Sequence, residues 1–424
     1  MDIKRIDVTQ YDLALRAQEI QATAFRYSGG YRRVQQQIEQ ARPKQEPLAD
    51  PAREDPVSIP WGAFQDDELI AMMYAIDFNM AYENQSVGMI GIGGVATMPE
   101  HRRHGAIRAI MHKVLSDART RGFVFSYLYP FSYRFYHKFG YDIGCHRHEL
   151  KIPMKELAHH GMDGRMRAAG FKDLASFDAI YRRFAAGING AVLRTGNRWK
   201  MLLDKNPALD QRWAYIWCDD HDRERAYVIY ERQDNPQAVS PDEHFLKVVD
   251  WAAVDQPSLR ALLGFLTTFS PQYQAVVMNL PVHLPADSLF EEMSAIRCQR
   301  TTNGQVRILN VEAALRVLNV PSWLDEQAFT LHVADQFLPE NSGVYDLTCD
   351  HGEISVVHRT QDGPDEADLT IGVEALSSLL LGSRSLQELR WSGLASFSSA
   401  AEPRLTEWLE AMLTIKPAGI FDYF

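Results

Sequence analysis

The sequence predicts a protein of the α/β (α+β) class in which helices pack on mixed sheets. The chain has 424 residues, more than one ordinary core accommodates, which indicates two or three domains. In its first third, β-type runs alternate with helical periodicity, and an apolar strand turns at Pro99 into a basic helix start. After about Pro153 a similar order of helices and strands begins again, which favours a repeated architecture.

The composition is that of a globular protein, with 46% hydrophobic and 23% charged residues. A formal net charge of -11 argues against a nucleic-acid or anionic-membrane partner and favours cationic small molecules such as amines. No segment approaches the apolar length of a membrane span, and residues 1–5 are not followed by a signal-like apolar run. We therefore expect a cytoplasmic protein with no membrane partner.

The four cysteines, Cys145, Cys218, Cys298 and Cys349, are widely scattered. They form no C-x-x-C motif and have no histidine at the spacing that metal ligands usually show. We therefore expect four reduced thiols in the protein core and no metal site.

The first 155 residues are predicted to follow the order αβββαβαβ. An amphipathic helix is expected over residues 11–27, ending at Gly29 and Gly30, and the polar stretch 32–56 suits a helical piece followed by a mobile loop over a binding cleft. The elements expected next are strands at 61–65, 69–80 and 86–98, a helix at 105–120, a strand at 123–129 and a short helix at 133–140.

The segment from Val95 to Ile107 predicts a phosphate cradle. Where the strand stops, the next backbone amides are the unpaired donors of a first helical turn, at the positive end of the helix dipole. Gly105 permits close approach of a ligand to the backbone, and Arg102 and Arg103 add positive charge. A pyrophosphate fits such a turn. The alternative is an ordinary basic helix start whose arginines are solvated.

This cradle resembles motif A of the GNAT acetyltransferases, Arg/Gln-x-x-Gly-x-Gly/Ala, which holds the pyrophosphate of acetyl-CoA. The match is Arg102-x-x-Gly105-x-Ile107, in which Ile107 replaces the small last residue. The resemblance implies acetyl-CoA as the acyl donor. The contacts that it implies are pyrophosphate contacts from Arg102, Arg103, Gly105 and Ala106, and backbone contacts from Val95 and Thr97 to the pantetheine amides.

A second resemblance lies in the stretch Tyr-His-Lys-Phe-Gly-Tyr that begins at Tyr136. It is similar to the GNAT motif in which a tyrosine protonates the departing CoA thiolate, which implies Tyr136 as general acid. A phenol with an ordinary pKa of about 10 can donate a proton to a thiolate at little cost. Tyr133 and Tyr141 are nearby competitors, and an aromatic cluster that only packs the sheet is the alternative.

The rest of the chain is predicted to contain two more domains. Residues 156–294 resemble another GNAT-like sheet without a second cradle, suited to scaffolding and oligomer contacts. The elements expected there are helices at 174–186, 197–204 and 257–269, and strands at 191–193, 213–217, 227–231, 245–251 and 273–280. From 295 to 424, the expected elements are strands at 306–310, 329–333, 343–349 and 353–358, and helices at 311–320, 373–381 and 403–413.

The chain ends in an apolar hexapeptide, residues 419–424, with two Phe and one Tyr. Such a segment should be buried, because an exposed one would promote aggregation. A buried C-terminus carries its α-carboxylate into the protein, where desolvation raises the pKa of the group from about 3.5 and makes it a better base. The alternative is a packed C-terminal strand that takes no part in catalysis.

The whole chain resembles the enhanced intracellular survival (Eis) family of N-acetyltransferases. The features that carry this resemblance are a GNAT domain, a second GNAT-like domain without the cofactor motif, a sterol-carrier-like α+β domain and a terminal Phe. It implies domains at 1–155, 156–294 and 295–424. It also implies the main-chain carboxylate of Phe424 as general base and a hexameric assembly.

These features predict an acetyl-CoA-dependent N-acetyltransferase in which an amine attacks the thioester directly. The resemblance implies aminoglycosides, lysine side chains or polyamines as acceptors, and the residues select none of them. Phe25, Trp61 and Asp422 are candidates for acceptor contacts, although lone aromatics are more often core and Asp422 also suits an exposed turn. Two competing functions are binding of an apolar ligand in the C-terminal domain and CoA sensing, each with an idle acetyltransferase domain.

Overall fold

The computed structural model describes residues 1–25, 30–44, 48–158, 160, 161, 163–234, 244–321, 323, 327–360, 363, 364, 367–398, 409, 410 and 416–424. The helix predicted at 403–413 lies outside this part of the chain except for residues 409 and 410, and so does the predicted helix end at Gly29.

The strands of the structure are β1 (Asp2–Arg5), β2 (Ser58–Gln65), β3 (Glu68–Tyr82), β4 (Gln85–Thr97), β5 (Phe125–Leu128), β6 (Asp142–Pro153), β7 (Arg165–Ala169), β8 (Arg212–Cys218), β9 (Glu224–Gln233), β10 (His244–Ala253), β11 (Tyr273–Pro281), β12 (Arg297–Ile308), β13 (Ala328–Ala334), β14 (Gly343–Asp350), β15 (Glu353–Arg359), β16 (Leu369–Gly372) and β17 (Ala395–Phe397). The α-helices are α1 (Tyr11–Ala24), α2 (Gly30–Lys44), α3 (Ala106–Thr120), α4 (Tyr133–His137), α5 (Leu174–Ala185), α6 (Gly196–Leu203), α7 (Pro207–Asp210), α8 (Gln256–Leu266), α9 (Ala286–Leu289), α10 (Val311–Arg316), α11 (Val373–Leu381) and α12 (Leu386–Trp391).

Twelve strands form one continuous mixed sheet in the order β1-β2-β3-β4-β5-β12-β6-β11-β10-β9-β8-β7. The pairs β4–β5 and β10–β11 are parallel and the other pairs are antiparallel. Helices lie against this sheet, so the predicted mixed α/β class is confirmed, and the two predicted tandem sheets are the two halves of this one continuous sheet. The strand β1 precedes α1, whereas the predicted order began with a helix.

Strand β12 joins the two halves of the large sheet. Its last residues pair with β5, and most of its length pairs with β6, which in turn pairs with β11. Residues 297–308, which the predicted division assigns to the segment 295–424, therefore lie in the same sheet as the first 155 residues.

The strand predicted at residues 191–193 is wrong. Val192 forms only an isolated bridge with Met80, beside backbone hydrogen bonds that join this segment to residues 79–81. Its length is limited by the turn at Gly190, whose φ is +90°, and by helix α6, which begins three residues after Leu193. The segment therefore ties the second half of the molecule to the end of β3 without joining the sheet.

The C-terminal part contains a five-stranded sheet in the order β15-β14-β13-β16-β17. Its apolar side chains, such as Leu331, Val333 and Ile371, share one buried cluster with Tyr127 and Met89 from the first half of the large sheet. This part of the chain is therefore packed against the first half through its own core side chains.

All four cysteines are free thiols, but the expectation that all lie in the core is wrong for Cys298. Cys298 is exposed because the first residues of β12 lie at the protein surface. Within the described ranges, no helix is both long and apolar enough to cross a membrane. Among the same residues, no three His, Cys, Asp or Glu side chains are grouped so that they could hold a metal ion.

Candidate active site

The strands β4 and β5 diverge at the centre of the first half of the sheet. They pair in parallel only from Met89 to Ile92 of β4 and from Phe125 to Leu128 of β5. Beyond these residues β4 continues to Thr97 and stays paired with β3 alone. The backbone of residues 93–97 therefore borders a gap on the side of β5, where the family resemblance implies backbone contacts from Val95 and Thr97 to an acyl donor.

The part of β4 beside this gap is rich in glycine. Gly91, Gly93 and Gly94 leave the strand without side chains on one face, and the register with β3 is irregular between Met72 and Tyr74. Gly94 has a φ of +58°, which an L side chain rarely adopts. This bulge bends the strand at the gap, as bulges beside functional sites commonly do.

The strand, turn and helix start that are predicted to form a phosphate cradle occur in that order at the start of α3. A short turn at Pro99–His101 follows β4, Gly105 caps the helix with a φ of +86°, and Arg103 has a φ of +67°. In the first backbone hydrogen bond of the helix, Ala109 N donates to Gly105 O, so the amides of the first turn have no partner within the helix. Arg102 and Arg103 are exposed beside these amides, and the turn has the donors and positive charge that a pyrophosphate requires.

Gly105 is needed in this turn for its backbone conformation. A Cβ atom added there would meet nothing within 4 Å, so the position opens to free space. The positive φ, rather than crowding, restricts the residue type. The open space above the turn leaves room for a phosphate group.

Tyr136 lies in α4 beside the end of β5. Its ring is buried in an aromatic cluster, with centroids 5.1 Å from Phe135 and 5.4 Å from Phe131. Burial raises the pKa of Tyr136 well above its ordinary value, so the phenol keeps its proton at neutral pH. Its hydroxyl forms no hydrogen bond with any residue that the structure describes, whereas the hydroxyl of Tyr141 lies 2.6 Å from Ser126 Oγ. Of these two phenols, Tyr136 has the free donor.

The C-terminal residue Phe424 reaches the same gap from the other face of the sheet. Its carboxyl carbon lies 3.9 Å from the position that a Cβ atom would take on Gly93. Its ring packs over Gly91, with centroids 4.7 Å from Phe78 and 5.3 Å from Tyr129. Within the described chain, the carboxylate forms no ion pair and accepts no hydrogen bond. The structure therefore brings the last residue of the chain to the divergence of β4 and β5.

The C-terminal segment, residues 416–424, is tied along its length to the body of the protein. Its backbone exchanges hydrogen bonds with Asn189, which donates to Pro417 O at 2.8 Å and accepts from Gly419 N at 2.9 Å. Asn303 Nδ2 donates to Ile420 O at 2.9 Å. The predicted burial of the hexapeptide is confirmed for Ile420 and Asp422, whereas Tyr423 is exposed.

Asp422 is buried, and its carboxylate forms ion pairs with two arginines. Arg194 Nε donates to both carboxylate oxygens at 3.1 and 3.0 Å, and Arg198 Nη2 donates to one at 3.1 Å. The side chain is 1% exposed. In this arrangement the charge of Asp422 is neutralised inside the protein, and its suggested contact with a cationic acceptor stays a prediction.

Models of known protein families match three parts of the chain. Two of them describe an acetyltransferase (GNAT) domain and cover residues 8–144 and 190–308, and the third describes a sterol carrier protein domain and covers residues 311–416. Among curated proteins, N-acetyltransferase Eis of Mycobacterium tuberculosis is 25% identical over 297 residues, which are 65% of this chain and 68% of that protein. The chain is an Eis-like acetyltransferase of the GNAT class.

Other relatives carry the similarity over more of the chain. An uncharacterized N-acetyltransferase of Streptomyces avermitilis is 26% identical over 370 residues, 82% of this chain and 88% of that protein. The fold of the Eis-like acetyltransferase is shared by two solved structures. One is Eis1 from Mycobacterium abscessus (TM-score 0.77, 20% identity, 100% of both chains), and the other is a probable N-acyltransferase of Enterococcus faecalis (TM-score 0.81, 21% identity, 100% of this chain and 99% of that chain).

Two aromatic residues predicted to line the acceptor pocket of this Eis-like acetyltransferase lie on opposite faces of its sheet. Phe25 follows α1 and packs against the cluster that contains Ile20 and Met72. Trp61 is buried in the cluster beneath α3, with the guanidinium of Arg5 above its ring at 5.4 Å. The structure therefore does not bring these two rings together, and their roles stay predictions.

Several residues around the C-terminus of the Eis-like acetyltransferase were not identified from the sequence. Tyr129 packs against the rings of both Tyr423 and Phe424, and Arg194 and Arg198 bind Asp422. The glycine-rich stretch of β4 was a signal for close packing on that strand. The arginines gave no such signal, because their partners lie more than 200 residues away in the chain.

Proposed function

We propose that this acetyltransferase uses acetyl-CoA to acetylate an amine of a cationic acceptor, with Phe424 and Tyr136 as its base and acid. The position of the terminal carboxylate beside Gly93, at the divergence of β4 and β5, carries this proposal. GNAT acetyltransferases take the acyl group from acetyl-CoA. The gap borders the end of β4, and the cradle at Gly105 follows it in the chain at the start of α3. This order suits an extended cofactor that carries a pyrophosphate.

The terminal carboxylate suits the role of general base. It is the one charged group of Phe424 and, among the described residues, it has no cationic partner. An acceptor ammonium must lose a proton before its nitrogen can attack a carbonyl carbon, and a nearby carboxylate can receive that proton. The negative charge of the carboxylate also attracts an ammonium group into the gap.

Tyr136 suits the role of general acid. When the amine attacks, a C–N bond forms at the acetyl carbonyl, and the C–S bond of the thioester breaks. The phenol of Tyr136 gives its proton to the sulfur and is restored, by way of solvent, by the second proton that leaves the nitrogen as the amide forms, and the proton held by the carboxylate of Phe424 is released to solvent. The net change is one amine acetylated and one thiol released. The buried site of the phenol keeps it protonated until the thiolate forms.

The acceptor class rests on charge and on the resemblance to the Eis family. The net charge of -11 favours positively charged molecules over anionic ones. Aminoglycosides, lysine side chains and polyamines all present ammonium groups, and each is a proposed acceptor. A hexameric assembly and a cytoplasmic location stay predictions, as do the domain boundaries after residues 155 and 294.

The decisive test follows thiol release from acetyl-CoA with a panel of aminoglycosides, polyamines and lysine peptides. It compares the wild type with a chain extended by one glycine, which moves the terminal carboxylate by about 3.5 Å. The matched control is Phe424→Leu, which keeps the carboxylate and removes the ring. We expect turnover by the wild type, partial turnover by Phe424→Leu and a loss of about 10²-fold or more in the extended chain.

Four outcomes separate the alternatives. Equal turnover by the wild type and the extended chain would remove the carboxylate from the mechanism and leave the acetyltransferase. Turnover that depends on the ring alone would assign Phe424 a packing role. Binding of acetyl-CoA without turnover of any amine would favour CoA sensing, and the same result with a retained apolar ligand would favour ligand binding.

A further inference from the structure

The large sheet contains a second place where parallel strands diverge. Residues 244–247 of β10 pair in parallel with residues 273–277 of β11. Beyond residue 247, β10 pairs only with β9. Strands β4 and β5 have the same arrangement, with a parallel pairing of four residues in each strand. Helix α8 follows β10 just as α3 follows β4. The second half therefore has its own gap at the position that corresponds to the acyl-donor gap of the first half.

The C-terminal segment lies along this second gap. A cavity there is lined by residues 248–251 of β10, residues 279–281 of β11 and residues 419–423 of the C-terminal segment. Phe421 packs its ring 5.2 Å from that of Phe184 in α5. The segment thus passes the second gap before its last residue enters the first one.

The helix start beside the second gap is closed to a phosphate. The side chain of Asp255 caps α8 and accepts a hydrogen bond from Ser258 N at 3.0 Å. Asp255 also pairs with Arg225. The corresponding residue at α3 is Gly105, which offers bare amides instead. A carboxylate at the helix start repels an anionic cofactor, so the second gap lacks the property that makes the first a cofactor site.

Arg194 links the second gap to the C-terminal segment. Its guanidinium donates to Asp250 of β10 at 2.7 and 3.0 Å and to Asp422 at 3.1 and 3.0 Å. The same guanidinium lies over the rings of Tyr181 and Trp199, at 3.9 and 4.7 Å. The side chain is 1% exposed, and a buried cation of this kind requires anionic partners. Asp422 is therefore one of two carboxylates that neutralise a charge built into the second half.

We infer that the second GNAT domain uses its cofactor-free gap to hold the C-terminal segment, and that Arg194, Arg198 and Asp422 are positioning residues for the carboxylate of Phe424. This inference rests on the proposed role of that carboxylate as base. Only Tyr423 lies between Asp422 and Phe424, and the two Cα–Cα steps that join them span at most about 7 Å, so fixing one residue confines the other. Arg198 Nη2 also donates to Tyr423 O at 2.9 Å, which fixes the intervening peptide.

The inference is tested with the full-length chain carrying Asp422→Asn or Arg198→Gln. Asp422→Asn keeps the size of the side chain and removes its charge, and Arg198 is partly exposed, so its loss spares the buried Arg194–Asp250 pair. The matched control is Arg212→Gln, which removes another arginine–carboxylate pair of the same domain, with Glu231 at 2.8 Å. Asp422→Glu tests rescue by a side chain that keeps the charge.

Two readouts are measured on each variant. The first is the split between kcat and the KM for acetyl-CoA, for which we expect kcat to fall by about 10²-fold and KM to stay unchanged, because the cradle at α3 is untouched. The second is release of Phe424 by a carboxypeptidase without substrates. We expect release to accelerate by about tenfold or more, the effect of losing one charge-assisted hydrogen bond. The control should match the wild type in both readouts, and Asp422→Glu should recover part of kcat.

The results that would overturn the inference differ from those that would overturn the proposed function. Wild-type release of Phe424 by both variants would show that these residues do not hold the segment. Faster release with an unchanged kcat would show that holding the segment does not position a catalytic group. If the wild type turns over no amine at all, the proposed function fails, and the carboxypeptidase readout still decides whether the second domain holds the segment.

Discussion

The ring of Phe424 lies over Gly91 in the position that a side chain on this strand residue would fill. A Cβ atom on Gly91 would come within 2.5 Å of Phe424 Cε2 and 2.7 Å of Phe78 Cε2. The last residue of the chain therefore completes the surface of β4, although the two are more than 300 residues apart in the sequence. The absence of a side chain at this position is what allows the C-terminus to reach the gap.

Gly91→Ala should displace the C-terminal ring and reduce catalysis. Inserting a methyl group into a packed site typically costs about 1–3 kcal/mol, and here the movable neighbour is the terminal residue. We expect kcat to fall by about tenfold or more with little change in the KM for acetyl-CoA. Steady-state kinetics of thiol release would measure both.

The control for that substitution is Gly196→Ala, at the start of α6. A Cβ atom there would meet nothing within 4 Å, so this variant tests the general effect of an added methyl group. It should keep wild-type kinetics. If Gly91→Ala also keeps them, the terminal ring adapts freely, and its position over β4 does not control turnover.

Tyr136→Phe should lower kcat by about 10²–10⁴-fold without changing the KM for acetyl-CoA, because only the proton donor is removed. The ring and its aromatic neighbours stay in place, so folding should be preserved. Tyr133→Phe is the matched control, since Tyr133 lies in the same helix and its hydroxyl bonds to Thr302 instead. Equal losses in the two variants would contradict the assignment of Tyr136 as the acid.

The strand, turn and helix of the proposed cofactor site could be predicted because their signals are local. The apolar run of β4, the proline turn and the glycine at residue 105 are neighbours in sequence, and the structure has the strand, turn and helix in that order. The burial of Ile420 was also predicted, since an apolar segment has few alternatives to burial. Local pattern therefore identified the strand, turn and helix of the first domain and the buried C-terminal segment.

The parts that could not be predicted depend on pairing between distant segments. Strand β12 has an exposed, polar first half and inserts between β5 and β6, which no periodicity in residues 297–308 indicates. In the sequence, nothing distinguishes Arg194 from an ordinary basic residue before a helix. It is nevertheless buried, because the carboxylates of Asp250 and Asp422 both bind it. Sequence patterns report which residues are apolar, but they do not report which distant charges meet.

Gly105→Val should weaken the binding of acetyl-CoA more than Gly105→Asn. The φ of +86° costs a β-branched residue about 1–3 kcal/mol, whereas asparagine tolerates this region better. Because the space around the position is open, the cost arises from the backbone and distorts the start of α3. The KM for acetyl-CoA should rise in the order glycine, asparagine, valine, and kcat at saturation should change less. A KM as high for Gly105→Asn as for Gly105→Val would contradict this explanation.

Asp335→Asn should destabilise the contact between β12 and the C-terminal part. Asp335 pairs with Arg307 at 2.6 Å, and both side chains are fully buried. Removing one partner of a buried pair typically costs about 3–5 kcal/mol, because the other charge is left without compensation. The control Asp346→Asn removes the half-exposed pair with Arg359 and should cost at most about 1 kcal/mol. Shifts of the urea unfolding transition would measure the two effects, and equal shifts would contradict the prediction.

The stability of the protein should fall as the pH drops below about 6.5, in part because of His283. Burial lowers the pKa of His283, and its Nδ1 has no hydrogen-bond partner in the described chain. As the pH falls, His283 therefore binds a proton in the unfolded state before it does so in the folded state. The stability that this residue contributes is present above its unfolded-state pKa and is lost as the pH falls towards its folded-state pKa. The thermal unfolding midpoint at about pH 5.5, relative to that at about pH 7.5, should fall less in His283→Gln than in the wild type. The control is His351→Gln, at an exposed position, which should follow the wild type. A wild-type pH dependence in His283→Gln would show that other groups cause the loss.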